Sequence, residues 1–238
     1  MTEQVVASAV LKAVILDVDG TLYHQPPLRR AMAARLAKAH VLRPRRGLRT
    51  IRAISAFRAA QEELRHAPAS TDLHTEQLSL AAERANIAAE EVAGHVTRWM
   101  DDGPIDLVAR FARPGLRDTL QQMRSQGLRL AVLSDYPATA KLQALGILDL
   151  IDVVVSAQDP DVGVFKPHPR GLEVVLARLG VDGTQALYVG DRVDVDSGAA
   201  SAANVACIIL APRRAGDTDA GYRRATSFPE ILSLLEGS

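Results

Sequence analysis

Two styles of hydrophobic patterning divide the chain. From Ala13 to Leu16 the residues are continuously apolar, as in a strand covered on both faces, and the run ends on Asp17. From Pro26 to about Ala112 strand signals vanish. LRRAMAARLAKAHVL (28–42), GLRTIRAISAFRAAQEELRHA (47–67) and HTEQLSLAAERANI (74–87) carry Ala-, Leu- and Arg-rich helical periodicity. A loop is expected over Pro68–Asp72. A further helix is expected over Ala89–Met100, with Glu90 and Glu91 where a helix dipole favours acids. Asp102-Gly103-Pro104 and Arg113-Pro114-Gly115 punctuate the return to the first style. Thereafter the pattern predicts a helix at Gly115–Ser125, a strand at Leu128–Ser134 and a helix at Ala138–Leu145. A strand at Ile151–Ser156, a helix at Pro169–Leu179 and a strand at Gln185–Val189 follow. The series closes with a helix at Asp196–Ala203 and a last buried strand at Val205–Leu210. Residues 1–11 read as a loose lead-in.

Strands alternating with ten-residue helices imply right-handed crossovers and a parallel sheet. The expected fold class is therefore α/β, a Rossmann-like sandwich with an all-helical domain inserted after the first strand. The core comprises residues 1–24 and 113–238, and the helical cap residues 25–112.

Composition narrows the field. Of 238 residues, 47% are hydrophobic and 24% charged, ordinary for a globular protein. The 28 basic and 28 acidic residues balance, so no global field draws the chain to nucleic acid or membrane. No apolar run approaches the length of a membrane span, and the first residues lack a signal-peptide pattern. The single cysteine, Cys207, excludes an internal disulfide. A cytoplasmic location is expected. Lysine occurs only at 12, 38, 141 and 166, which makes each worth attention.

The candidate chemistry sits at strand ends. Asp17 and Asp19 are two apart, so they leave the first strand toward one face, and Gly20 permits a sharp turn behind them. Paired acids there suit a hard cation or a covalent intermediate on a carboxylate. Ser134 ends the next strand and can donate to a phosphate oxygen, or serve simply as a turn serine. Lys166 lies in GVFKPHP, where Pro167 and Pro169 restrict the loop. Asp191 stands directly at the end of QALYV. Asp194 and Asp196 precede a helix, where acids often act as caps.

Taken in order, DVDGT (17–21), Ser134, Lys166 and GDRVDVD (190–196) resemble the four motifs of the haloacid dehalogenase superfamily, and the likeness covers nearly the whole chain. The resemblance implies a Mg²⁺-dependent phosphatase. In that reading Asp17 is the nucleophile, forming an aspartyl-phosphate, and Asp19 the general acid and base. Ser134 and Lys166 hold the phosphate, and Lys166 also orients the nucleophile. Magnesium is expected on Asp17, the backbone carbonyl of Asp19 and Asp191. Asp196 would bind directly, through water, or only orient the loop. An acid at Asp19 disfavours the dehalogenase branch. Asp135 departs from the usual Asn or Gly of the second motif and would be unfavourable beside a phosphate unless it pointed away, paired with a base or were protonated.

The cap is expected to close over the site and select the substrate. Tyr23 and His24, at its entrance, could line the pocket, or serve as hinge packing and a solvated loop residue. The run Arg43, Arg45, Arg46, Arg49, Arg52 could bind a second anionic group or form a solvated helix face. His168 reads as structural. The leading expectation is hydrolysis of a small phosphate monoester such as a sugar phosphate or phosphoglycolate. The alternatives are a phosphomutase or phosphotransferase of the same fold, or a non-catalytic binding protein. No nucleic-acid or membrane partner is expected.

Overall fold

The computed structural model describes residues 10–212 and 221–236; most of the lead-in expected over 1–11 lies outside them. Six parallel strands form one sheet: β1 (Ala13–Leu16), β2 (Arg129–Ser134), β3 (Val153–Ser156), β4 (Ala186–Gly190), β5 (Ala206–Leu210) and β6 (Arg223–Ala225). Their spatial order is β3-β2-β1-β4-β5-β6. The order reverses direction between β1 and β4, and that switch point is where open α/β sheets bind ligands. Register pairs Ala13 with both Arg129 and Ala186, so the ends of β1 and β4 lie side by side.

The period-two geometry of each strand feeds two separate cores. Val14, Leu16, Leu130, Val132, Leu187 and Val189 face one side. There α6 (Leu116–Ser125), α7 (Thr139–Ala144) and α10 (Phe228–Glu236) cover them. Ala13, Ile15, Ala131, Leu133 and Tyr188 face the other side, beneath α8 (Arg170–Leu179) and α9 (Gly198–Ala202). Cys207 is buried there as a free thiol.

The inserted region holds α1 (Gln25–His40), α2 (Pro44–Leu64), α3 (Leu73–Ala85), α4 (Ala89–Val96) and a short α5 (Ile105–Val108). Its own core is mostly small, with Ala56, Ala60, Ala81 and Ala85 around Phe57, Val92 and Val96, which lets α2, α3 and α4 approach closely. The chain crosses between the two regions at residues 22–24 and 111–113. The crossing segments are tied by a Tyr23–Ala112 bridge, by His24 N–H to Phe111 O at 2.8 Å and by Arg113 N–H to Leu22 O at 3.0 Å.

Three expectations need correction. Val205–Leu210 is not the last strand: β6 and α10 follow. β6 escapes the pattern because it is three residues long with two arginines, a typical protected edge. The helix expected over Ala89–Met100 gives way at Thr97 to a π-helical turn, Thr97–Asp102. The helix expected to begin at Asp196 begins with a π-helical turn, Val193–Ser197. Asp194 is consequently no cap. It lies in the first turn and pairs with Arg192 at 2.6 Å.

The cap is clasped to the core beside the sheet's carboxyl edge. Arg65, just past α2, donates to Asp135 Oδ2 at 2.8 Å and to the carbonyl of Lys166, while Gln61 donates to the same Asp135 oxygen at 2.8 Å. Nearby, Arg192 reaches Glu62 at 3.1 Å. The Arg65 and Asp135 side chains are 5% and 14% exposed. Removing one member of such a buried pair strands the other charge. Arg65→Ala is expected to lower unfolding free energy by about 3 kcal/mol in a urea titration. A loss under about 0.5 kcal/mol, the range of exposed ion pairs, would contradict the clasp.

Candidate active site

The site is built where β1 and β4 end. Asp17 follows β1 directly, its N–H bonded to Val189 O at 2.9 Å. Its Oδ1 accepts from Lys166 Nζ at 2.6 Å and its Oδ2 from Thr21 Oγ1 at 2.8 Å. Lys166 is 5% exposed; its ammonium also donates to Asp196 Oδ1 at 2.8 Å and to the Tyr188 hydroxyl at 3.0 Å. Burial alone would strip its proton, but Asp17 and Asp196 hold it firmly charged.

Asp196 organises the loop around Asp191. Its Oδ2 accepts the N–H groups of Asp191 and Arg192 at 3.0 and 2.9 Å, and its Oδ1 accepts from Lys166 and from Tyr188 O–H at 3.1 Å. A carboxylate offers about four lone-pair sites, and all are taken. Burial would raise its pKa, yet Lys166 and these hydrogen bonds hold it below the usual value. Asp191 is the opposite case: among the described residues its carboxylate makes no hydrogen bond or ion pair. Burial, and then the charge of Asp196, push it up to about 6. Burial likewise raises Asp17, opposed by Lys166 and reinforced by Asp196 and Asp191.

Glycines make this crowding possible. Gly20 has φ +107°, and a Cβ there would overlap the Asp191 carboxylate; one on Gly190 would overlap Asp196. Oxygens of Asp17, Asp191 and Asp196 all come within 4.8 Å of one another. Two of these carboxylates share the one ammonium of Lys166 and the third has no ion-pair partner among the described residues, so acids outnumber the buried cation. Hard oxygen donors with that excess fit a small dication such as Mg²⁺. The lone pairs of Asp191 are free for it, whereas those of Asp196 are already engaged.

Asp19 faces a different partner. Lys141 Nζ on α7 donates to both its oxygens, at 2.7 and 2.8 Å, and Tyr23 O–H donates to Oδ1. Burial would raise its pKa, but Lys141 and these bonds outweigh it and hold Asp19 below the usual range. Tyr23 is thus both hinge and site residue. His24 is exposed and engages the hinge through its backbone N–H. Ser134 ends β2, 1% exposed, its Oγ accepting from Tyr136 N–H at 3.3 Å; there Asp135 and Tyr136 form the wall. Asp135 meets one condition set by the sequence, pairing with a base, Arg65.

A cavity of about 760 Å³ opens from Asp17, Asp19, Lys166 and Asp191 into the cap. The arginines of the run, Arg43, Arg45, Arg46, Arg49 and Arg52, are exposed and do not line it, and Arg49 pairs with Glu91. Arg29 and Arg58 line it instead, and neither forms an ion pair among the described residues. Sequence reasoning missed these two, along with Thr21, Lys141, Tyr188 and Arg65. Lysine scarcity was the signal for Lys141. Nothing in the local pattern distinguishes Arg29 or Arg58 from the chain's other arginines.

Acids and a lysine thus meet at the switch point of a parallel sheet in an α/β fold, beneath a helical cap, the layout of an enzyme active site. A family model described as haloacid dehalogenase-like hydrolase matches residues 11–204, and the chain belongs to that family. It is 30% identical over 230 residues to a glyceraldehyde 3-phosphate phosphatase of Methanopyrus kandleri, covering 93% of this chain and 92% of that protein. Identity to a phosphoglycolate phosphatase of Rhodospirillum rubrum is 31% over 238 residues, covering 94% and 89%. The crystal structure of CbbY from Rhodobacter sphaeroides in complex with phosphate superposes with a TM-score of 0.64 at 22% identity, covering 95% of this chain and all of that one, which supports the fold.

The division between Asp191 and Asp196 is testable by Mg²⁺ titration calorimetry. Asp196→Asn is expected to weaken Mg²⁺ binding by about 10- to 100-fold, as loss of an orienting partner does. Asp191→Asn is expected to weaken it further. The reverse ranking would make Asp196 the principal ligand.

Proposed function

We propose that this protein is a Mg²⁺-dependent phosphatase that hydrolyses an organic phosphate monoester through an aspartyl-phosphate on Asp17. The observation that carries this reading is the Asp17 carboxylate, buried at the switch point and held by Lys166 and Thr21, within reach of Asp191 at the floor of a cap-covered cavity. Asp17 and Asp191 would hold the cation, with the carbonyl of Asp19 expected as a further donor. The cation, when bound, neutralises charge on the phosphoryl oxygens.

An Asp17 oxygen attacks phosphorus while the ester P–O bond breaks. Lys166 supplies a fixed positive charge to the transferring group, the kind of electrostatic positioning that dominates phosphoryl transfer. For this step Asp19 must first take up a proton, which the negative charge of the bound phosphate beside it favours against the Lys141 pair; it then gives that proton to the leaving oxygen and is left ionised. It then takes one from the water that cleaves the acyl phosphate, restoring Asp17 and releasing phosphate. The Lys141 ion pair favours the ionised Asp19 needed in this second step. Ser134, fully covered, would serve by shaping the strand end or by donating to phosphate after a small shift. The relatives act on a triose phosphate and on phosphoglycolate by their names. Arg29 and Arg58 are suited to such a substrate, because unpaired guanidinium groups beside the reacting centre favour an anionic or hydroxyl-rich unit next to the scissile phosphate. The free thiol fits a cytoplasmic enzyme, and no described helix is long and apolar enough to cross a membrane.

Hydrolysis of p-nitrophenyl phosphate with and without Mg²⁺ tests the reading. Release is expected to need the metal and to fall at least about a thousandfold in Asp17→Asn. Activity surviving in that variant would sink the nucleophile assignment. A second test addresses Asp19. Because Lys141 lowers the Asp19 pKa, the activity limb set by its ionised form lies at low pH and is lost as pH falls through that pKa. Lys141→Gln is expected to move the acid limb of the kcat profile to higher pH. An unmoved limb would mean that another group sets it.

A further inference from the structure

The cavity continues well past the reacting groups. On α1 the lining residues run Gln25, Arg29, Met32, Leu36, His40, one stripe at helical spacing along the whole 16-residue helix. On α2 they run back from Pro44 through Leu48, Ile51 and Ile54 to Arg58, with Arg65 just past its end. The two helices are consecutive and walk the same groove in opposite directions, so its positions can be ordered. Arg29, Arg58 and Arg65 mark the catalytic end. Met32 and Leu36 with Ile51 and Ile54 form the middle, and Trp99 beside His40, ring centroids 5.9 Å apart, marks the far part. At 1.5 Å per residue the α1 stripe is roughly 22 Å long. That is several times what a glycolate or triose unit spans.

Among the described residues nothing fills the apolar part. Leu28, at the catalytic end, is the residue of α1 that is fully buried, whereas Leu48 and Ile51 remain 66% and 49% exposed. An uncovered apolar stretch continuous with a reaction site marks a ligand groove. We infer that the substrate is an amphipathic phosphate monoester: a phosphate at Asp17, a polar unit at Arg29 and Arg58, and an apolar chain or ring system along Met32, Leu36, Ile51 and Ile54. This rests on the phosphatase reading and extends its substrate beyond a sugar- or glycolate-sized leaving group.

Binding of n-alkyl phosphonates, ethyl through octyl, to the wild-type protein with Mg²⁺ tests it without requiring turnover, with inorganic phosphate as the reference. Affinity is expected to rise with each added methylene by up to about fourfold, the value for full burial of a CH₂. Leu36→Asp/Ile51→Asp, at partly exposed positions, is expected to flatten that slope while circular dichroism stays unchanged. A flat slope in the wild type, or a slope that survives in the double variant, overturns the proposal. A flat slope with self-association abolished by Leu48→Asp would assign the groove to a second copy of the chain and overturn it likewise. Failure of inorganic phosphate to bind, or of every ester to be hydrolysed, would instead strike the phosphatase reading, since the slope alone decides the groove.

Discussion

One ammonium group holds the site together. Lys166 Nζ lies between Asp17, Asp196 and the Tyr188 hydroxyl, at 2.6, 2.8 and 3.0 Å. Each carboxylate would be costly where it is without a counter-charge, and together they exceed what one lysine can neutralise. The arrangement is therefore stable only as a set. Lys166 fixes one oxygen of Asp196, and the other fixes the Asp191–Arg192 backbone. Asp191 is thus delivered against Gly20 without spending its own lone pairs. The charge left over is the site's capacity for a dication.

Electrostatics also couples the core to the cap. Asp135 stands one residue past Ser134, where an acid facing phosphate would repel it. Arg65 and Gln61 instead draw it into the clasp, and Arg65 also bonds the carbonyl of Lys166. The residue that anchors the cap thereby touches the residue whose ammonium holds Asp17. At the other end of the insert the Tyr23–Ala112 bridge joins the two crossing segments, and the Tyr23 hydroxyl reaches Asp19. Two of the connections between cap and core thus end on catalytic candidates, as expected of a lid whose position bears on the chemistry beneath it.

Much of this was legible in the sequence because it lies in short-range pattern. Asp17 and Asp191 announce themselves by standing at strand ends and Lys166 by its Lys-Pro-x-Pro frame before a helix, and the parallel sheet follows from the alternation of elements. Lys141 was only hinted at. It stands on α7, and its meeting with Asp19 depends on how that helix packs over the sheet. Asp135 was legible as a puzzle rather than an answer, since its partner is 70 residues away along the chain. The arginine run misled in the other direction: helical spacing groups Arg43 to Arg52 along the chain, yet the helix turns them outward, while Arg29 and Arg58, far apart in sequence, face one cavity. The α10 helix lies in legible pattern as well, since Phe228, Ile231 and Leu232 recur at helical spacing.

The cap's design turns on a contrast between its two halves. Where α2 meets α3 and α4, small alanines allow tight packing around Phe57, and the interior is closed. Where α2 faces α1, much of the apolar surface lines a cavity, and α1 is anchored to the core through Leu28, Ala31 and Met32 and at its edge by Arg35 to Asp106 and to Gly103 O. A cap selected for stability alone would close that seam over Leu36, Leu48 and Ile51, gaining burial worth up to about 1.5–3 kcal/mol for each large side chain. Leaving it open forgoes that stabilisation. The open seam begins at charged groups that suit a phosphate and ends on surface that suits hydrocarbon, so the forgone burial is available to whatever molecule enters with the matching gradient.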